Sequence, residues 1–170
     1  MMYKYTLCFI KNKNQLLMIN RNKSPWMGCW NGLGGKIEDG EKPDQCIKRE
    51  IMEEANLDES FYDLKFKGIV TWNDEEFGFD GGLYLYIAEL KKDITFSYPY
   101  KTKEGILDFK DIDWVISSEN YGTSHNIKYF LPYALESDIL REYNCYFEKN
   151  LLKKVDVKLI ANDYYNKISY

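Results

Sequence analysis

The sequence predicts an α/β (α+β) domain in which helices pack against a mixed central sheet. Three observations lead to this prediction. The chain has 170 residues, which suits one domain covering 1–170, and no repeat, low-complexity tract or linker divides it. Its 45% hydrophobic and 29% charged residues are typical of a globular protein with a sizeable core. Segments rich in strand-forming residues lie on both sides of one segment with helical spacing.

Strands are predicted where β-branched and aromatic residues cluster between polar turns. The clearest are Tyr3 to Ile10, Gln15 to Arg21, Leu64 to Trp72, Gly82 to Leu90, Tyr143 to Phe147 and Leu151 to Leu159. The first two should form a hairpin, and so should the last two. The acidic segment Asn73 to Gly81 is predicted to be a loop, and Phe109 to Ile116 a strand that runs into a short turn or helix.

Two main helices are predicted. From Pro43 to Ala55 the apolar residues recur at helical spacing, and proline suits the first helical turn. This helix should end near Asn56, because asparagine tolerates the left-handed conformation of a helix cap. A second helix is expected from Ser124 to Leu140, although Pro132 disturbs its middle.

The composition excludes several classes of protein. A formal net charge of −4 and a sequence pI of about 5.2 disfavour extended nucleic-acid binding but allow a single nucleotide whose charge a metal offsets. The four cysteines form no CxxC pair, and no signal peptide or membrane-length apolar run is present. We therefore expect a cytoplasmic protein with neither disulfides nor a membrane partner. His125 is the only histidine, which excludes a histidine-rich metal site.

Three acidic residues should share one face of the first helix. Glu50, Glu53 and Glu54 stand at positions i, i+3 and i+4, so their carboxylates repel one another. A solvated acidic face would explain these glutamates by themselves, whereas Mg²⁺ would make them a site of hard oxygen ligands. Arg49 is placed to orient Glu41 through a bidentate pair, which favours the metal site.

The spacing of these charges follows a known pattern. It resembles the Nudix box, which reads Gly, five residues, Glu, seven residues, Arg-Glu-hydrophobic-any-Glu-Glu-any-Gly-hydrophobic, and here spans the 23 residues from Gly35 to Leu57. Asn56 stands where the family has glycine, and every charged position is present. The resemblance implies a Nudix-type αβα sandwich with a mixed sheet, and an enzyme that hydrolyses a diphosphate linkage in a nucleotide.

The resemblance also implies roles for single residues. Mg²⁺, with Mn²⁺ as the alternative, would be held by Glu50, Glu53, Glu54 and the backbone carbonyl of Gly34. Glu41 and Arg49 would form an orienting pair that supports catalysis. Glu104 begins a Glu-Gly-any-Leu segment similar to that of the MutT-type branch, where it would be a base or a further ligand; a plain loop carboxylate is the alternative. Glu75 and Glu76 are weaker competitors.

The segment from Trp30 to Lys36, with Arg21 before it, extends the resemblance to MutT-type enzymes. These convert oxidised purine nucleoside triphosphates such as 8-oxo-dGTP to the monophosphate and pyrophosphate. Asn31 is predicted to read a purine edge, or else to cap the turn before the next glycine. The full set of predicted substrate-binding residues is Asn31, Lys36, Arg21 and Asn126. A stacking face, or alternatively a core lid, is expected from Trp26, Trp30, Phe77 and Phe79.

Other functions stay open at this point. The substrate could be a nucleotide sugar, a dinucleotide or an ordinary nucleoside triphosphate. A domain that senses nucleotides without catalysis is the non-enzyme alternative, which the complete charged set of the box disfavours. The 15 tyrosines crowd the second half of the chain, where they could form a homodimer face.

Overall fold

A computed structural model of the protein describes residues 3–74, 79–91, 97–149, 151–161 and 164. Within them nine strands form one sheet. The strands are β1 (Tyr5–Asn12), β2 (Gln15–Arg21), β3 (Trp30–Asn31), β4 (Tyr62–Asp74), β5 (Phe79–Leu90), β6 (Tyr100–Lys101), β7 (Gly105–Asp111), β8 (Arg141–Glu148) and β9 (Leu151–Leu159). Their order is β6-β7-β2-β1-β5-β4-β8-β9, and β3 pairs with β2. Because β1 pairs with β5, and β4 with β8, in parallel while the other pairs are antiparallel, the predicted mixed sheet is confirmed.

Helices cover both faces of the sheet. They are α1 (Pro43–Ala55), α2 (Ile112–Ile116) and α3 (Ile127–Glu136), and a 3₁₀ turn spans Glu59–Phe61. On one face, Ile47 and Ile51 of α1 pack with Cys8 of β1; on the other, Phe130 of α3 packs with Phe9. Residues 6–10 are all buried, as expected for a central strand covered on both faces. The αβα sandwich is therefore confirmed.

The ends of α1 follow from local chemistry. Pro43 occupies the first turn, where its missing N–H has no helical partner to lose. Asn56 adopts the left-handed conformation (φ 53°, ψ 39°), and its N–H donates to the carbonyl of Met52 at 3.0 Å. The predicted bounds are those observed, and asparagine fills the cap position where the family has glycine.

Several other predicted boundaries were wrong, because pairing partners extend or shorten the elements. The predicted loop Asn73 to Gly81 overlaps both strands, since Asn73 pairs with Asp80 in the ladder between β4 and β5; residues 75–78 lie outside the described residues. The strand β7 begins at Gly105, four residues before the predicted start at Phe109, because its first residues pair with β2. Conversely, α3 is shorter than the predicted helix: it begins at Ile127 and ends before the extended Ser137.

Two further expectations concern the environment of the chain. All four cysteines carry free thiols, as their spacing predicts. In the part of the chain that the structure describes, no helix has the length and apolar character needed to cross a membrane.

A glycine in β4 sets the approach of β8. Gly68 lies at the bulge of β4 with φ +126°, and a Cβ there would overlap the carbonyl oxygen of Arg141. We expect Gly68→Ala to lower the free energy of unfolding by roughly 2–4 kcal/mol, since it adds both overpacking and backbone strain. Gly28→Ala is the control, because Gly28 has φ +80° but open space around it. Thermal unfolding measures the stability of both variants. An equal loss of stability in the two would show that the contact of Gly68 with β8 contributes nothing beyond backbone strain.

Candidate active site

Three carboxylates lie along the face of α1 that borders a cleft. Glu50 is nearly buried, whereas the side chain of Glu53 is 60% exposed. Glu54 points at the loop before the helix, where its Oε2 accepts a hydrogen bond from the N–H of Gly34 at 3.0 Å. The helix thus presents two anchored carboxylates and one exposed carboxylate to the same space.

Two glycines allow the loop to pass this close to the helix and the sheet. Gly34 has φ +147°, and a Cβ there would overlap the carbonyl oxygen of Thr6. A Cβ on Gly35 would occupy the space of the Glu50 carboxylate. Any larger residue would push the loop away from the carboxylates.

Arg49 ties the loop and the carboxylates together. Its Nε and Nη2 donate to the two oxygens of Glu41 at 2.9 and 3.1 Å, which is the predicted bidentate geometry. Its Nη1 donates to Glu50 at 2.7 Å and lies 3.4 Å from Glu53. A further bond from Nη2 reaches the backbone carbonyl of Lys36 at 3.2 Å. The guanidinium lowers the pKa of Glu41, so that carboxyl stays ionised.

Two of the helix carboxyls, in contrast, have raised pKa values. Burial raises the pKa of Glu54 to about 8; the negative charges of Glu50 and Glu104 add to this, and the positive charge of Arg21 opposes it. Burial also raises the pKa of Glu50, while Arg49 acts in the opposite direction. If both carboxyls were ionised, the cluster would hold more buried negative charge than its neighbouring cations offset.

This excess of negative charge fits a divalent cation. Carboxylate oxygens are the ligands that hard cations prefer, and a cation would allow Glu54 to ionise. Among the described residues, no three acidic, histidine or cysteine side chains converge at metal-binding distance. Two of the three carboxylates, Glu50 and Glu53, instead form ion pairs with Arg49.

The cleft beside these carboxylates has a volume of about 1720 Å³. It brings together most of the predicted site residues, namely Arg21, Asn31, Gly34, Lys36, Glu50, Glu53, Glu54, Glu104 and Asn126. Glu41 and Arg49 do not line it; they stand behind the carboxylates, as an orienting pair would. The competitors Glu75 and Glu76 lie outside the described residues.

The predicted substrate-binding residues differ in how they are held. Asn31 Oδ1 accepts from the N–H of Gly32 at 2.9 Å, so the turn-capping interaction is present. Arg21 donates from Nε to the carbonyl of Pro25 at 2.9 Å. Asn126 precedes α3, and its Nδ2 lies 3.9 Å from Cys145 Sγ. Lys36 is exposed on the wall of the cleft.

Glu104 forms an ion pair with Lys23 at 3.0 Å, so it is not an isolated loop carboxylate. Its charge is the smallest of the causes that raise the pKa of Glu54. Its predicted role as base or ligand stays a prediction.

Aromatic side chains line the end of the cleft nearest α3. Trp26 contacts His125 and Phe147, with ring centroids 5.1 and 6.3 Å apart, and Trp72 lies on the same wall. Trp30 instead packs against the core, with Lys110 Nζ 4.2 Å from its ring centroid. Phe77 and the side chain of Phe79 lie outside the described residues. Four further aromatic residues line the cleft although no local sequence pattern marks them: Trp72, Phe147, Tyr98 and Tyr100.

Residues 4–115 match the family model of the NUDIX domain. The αβα sandwich, the two glycines and the ion pairs of Arg49 agree with this match. The chain belongs to the NUDIX domain family. The oxidized purine nucleoside triphosphate hydrolase of Mus musculus is 36% identical over 53 residues, which cover 31% of this chain and 34% of that protein. The ADP-ribose pyrophosphatase of Methanocaldococcus jannaschii is 40% identical over 48 residues, 28% of each protein.

The chain thus spans only about a third of the length of the curated relatives it matches. Among solved structures, the MutT protein of Bacillus halodurans superposes with a TM-score of 0.68 at 21% identity, over 91% of this chain and 96% of that one. The predicted membership of the Nudix family, with a likeness to its MutT-type proteins, is confirmed.

The raised pKa of Glu54 predicts a pH-dependent loss of stability in metal-free protein. Since the folded-state pKa lies above the unfolded one, the carboxyl costs nothing below about pH 4.5 and destabilises increasingly as the pH rises through 8. We expect Glu54→Gln to raise the Tm at pH 8 in EDTA by a few degrees, and to leave it nearly unchanged at pH 4.5. Added Mg²⁺ should stabilise the wild type more than the variant. If the Tm difference between the variant and the wild type were the same at pH 8 and at pH 4.5, the raised pKa of Glu54 would be contradicted.

Proposed function

We propose that the protein is a Mg²⁺-dependent pyrophosphohydrolase that converts a nucleoside triphosphate to the monophosphate and pyrophosphate, acting on oxidised purine nucleotides such as 8-oxo-dGTP. The observation that carries the proposal is the acidic wall of α1 in a cleft, where burial raises the pKa of Glu54 to about 8. An anionic substrate would be repelled by such a wall unless a cation lay between them. The name of the mouse relative supports the choice of substrate.

In this proposal Glu50, Glu53 and Glu54 hold the metal together with the backbone carbonyl of Gly34, and Mn²⁺ would serve as well, since oxygen ligands accept both ions. Bound there, the ion would supply a Lewis acid for the phosphates and lower the pKa of a bound water. A water oxygen would form a bond to one phosphorus of the α–β linkage, the bond from that phosphorus to the bridging oxygen would break, and the bridging oxygen would leave with the other phosphorus.

The other charged residues would orient the metal-binding carboxylates or offset the negative charge of the phosphates. Arg49 and Glu41 hold Glu50 in place from behind the cleft. Lys36 and Arg21 stand on its wall, where they would meet phosphate oxygens. Glu104 would accept the proton of the attacking water or provide a further ligand.

The amide of Asn31 would read the base. Because its oxygen already accepts from Gly32, its Nδ2 remains the atom that donates to a purine acceptor. Asn126 lies at the α3 end of the same cleft and would provide the second contact. The rings of Trp26, Trp72 and Phe147 would bury the base between them.

Three broader expectations stay proposals. Residues 1–170 would form one domain, because β8 and β9 continue the sheet that the family profile begins. The substrate is a small nucleotide, with no extended nucleic acid or membrane. A homodimer and a cytoplasmic location stay predictions from composition.

Removal of one carboxylate charge should abolish turnover. We expect Glu53→Gln and Glu54→Gln to lower kcat for 8-oxo-dGTP by at least about a hundredfold, the effect typical of lost transition-state electrostatics. Pyrophosphate release with Mg²⁺ measures this. Glu38→Gln is the control, because Glu38 is exposed and contacts Glu41 only through its backbone N–H and carbonyl.

Nearly full turnover in either variant would remove the site assignment. Turnover of another diphosphate in preference to 8-oxo-dGTP would keep the chemistry and replace the substrate. Nucleotide binding with no release from any substrate would favour the sensing alternative.

Loss of the Asn31 amide should act on base recognition. We expect Asn31→Ala to raise KM for purine triphosphates about tenfold, as for a lost hydrogen bond of about 1–1.5 kcal/mol, with a smaller change in kcat. Steady-state kinetics on 8-oxo-dGTP, dGTP and dCTP separate the effects. An equal increase for dCTP would mean that Asn31 only caps the turn.

A further inference from the structure

Within the described residues, one edge of the sheet is a long strand. There β9 is the last strand of the sheet, and it pairs with β8 on one side. At the opposite edge β6 has two residues, and an edge strand this short limits pairing with other chains. β9 has nine residues, so its outer side presents a row of N–H and C=O groups to which a further strand could bind.

Only part of β9 is regular. A bulge interrupts its ladder with β8 next to Lys153. From Lys154 to Leu159, by contrast, every residue of β9 faces the successive residue of β8 without a shift. Because a bulge bends and twists an edge away from further pairing, the part of β9 that suits a new partner is the straight segment 155–159.

The two faces of this segment carry different side chains. Val155 and Val157 lie opposite residues of β8 that are buried beneath α3. By alternation Leu159 projects to the same face, whereas Asp156 and Lys158 project to the other. Val157 is 41% exposed and Leu159 is 73% exposed, so this row of apolar side chains is left open to solvent at its outer end.

The segment is complementary to itself about Val157. If a second copy lies antiparallel with the two Val157 residues opposite each other, Asp156 of each copy faces Lys158 of the other. Val155 of each copy then faces Leu159 of the other. Opposite charges and apolar side chains at directly facing positions both favour the pairing of strands.

We infer that two copies of this chain form a homodimer through antiparallel pairing of their β9 strands, with the two-fold axis at Val157, so that their sheets join. Within the described residues Lys158 has no ion-pair partner, and Asp156 binds Lys154 of its own strand at 2.8 Å. The charge of Lys158 is thus available to a second copy. An axis at Asp156 would instead set Lys154 against Lys158, which disfavours that register. The inference is independent of the proposed function.

Two charge reversals test the register. In the proposed dimer Asp156→Lys sets lysine against lysine, and Lys158→Asp sets aspartate against aspartate. Because the two-fold axis repeats each pair, we expect either variant to raise the dissociation constant of the dimer about tenfold or more. Sedimentation equilibrium measures this constant, and the wild type should approach twice the 20.2 kDa mass of one chain as its concentration rises.

A mixture of the two variants provides the rescue. Each lysine of Asp156→Lys then faces an aspartate of Lys158→Asp, so the mixture should dimerise about as tightly as the wild type although neither variant does so alone. Lys153→Asp is the matched control, because it reverses an exposed charge of the same strand outside the segment 155–159. It should leave the dissociation constant unchanged.

Dimerisation of the wild type, its loss in each reversal and its recovery in the mixture would support the pairing of β9. A wild type that keeps the mass of one chain through the millimolar range would overturn it. A dimer that neither reversal weakens would lie at another surface, such as the tyrosines of α3, and would overturn it too. Weakening by Asp156→Lys alone, or a mixture of the variants that stays monomeric, would overturn the register about Val157.

Discussion

The Arg49 guanidinium fixes the positions of the acidic side chains and of the loop that precedes α1. It binds both carboxylate oxygens of Glu41, lies 2.7 Å from Glu50, and donates to the backbone carbonyl of Lys36. The first of these bonds joins α1 to the preceding loop, and the second offsets part of the negative charge on the helix. A planar guanidinium makes these contacts at once, whereas a lysine ammonium could not reproduce the bidentate geometry. The position of the loop before α1 and the balance of charge on α1 therefore both depend on Arg49.

The close approach of loop and helix has an electrostatic cost. Gly34 and Gly35 bring backbone against the carboxylates, and burial then raises the pKa of Glu54 to about 8. Arg49 does not relieve this strain, because its bonds go to Glu41, Glu50 and Glu53 rather than to Glu54. Nudix hydrolases generally use divalent metals, and a cation at this point would offset the remaining charge. Ionisation of Glu54 therefore lowers stability unless a cation offsets its charge.

The sequence predicted those elements whose cause is local. Both ends of α1 follow from a proline at its start and from Asn56 in the left-handed cap, and the box spacing brought Glu41 and Arg49 together as expected. Phe147 reaches the cleft through the parallel pairing of β8 with β4, where it faces Asp74 across 73 positions of sequence. Local periodicity does not encode such a register, and for the same reason the start of β7 was missed.

The end of the cleft near α3 offers two amides that differ in their free hydrogen-bonding atoms. Asn31 has its oxygen engaged by Gly32, so it offers the cleft a donor. A donor suits the keto oxygen of a guanine but does not separate an oxidised guanine from an ordinary one, which share that oxygen. The oxidised base differs by a carbonyl oxygen on C8 and a hydrogen on N7, and reading that hydrogen requires an acceptor. Asn126 directs its Nδ2 toward Cys145 Sγ at 3.9 Å, which leaves its carbonyl oxygen as that acceptor. In the proposed function Asn126 would therefore read the N7 hydrogen, whereas Asn31, in the segment that resembles the family, would donate to an oxygen of the base.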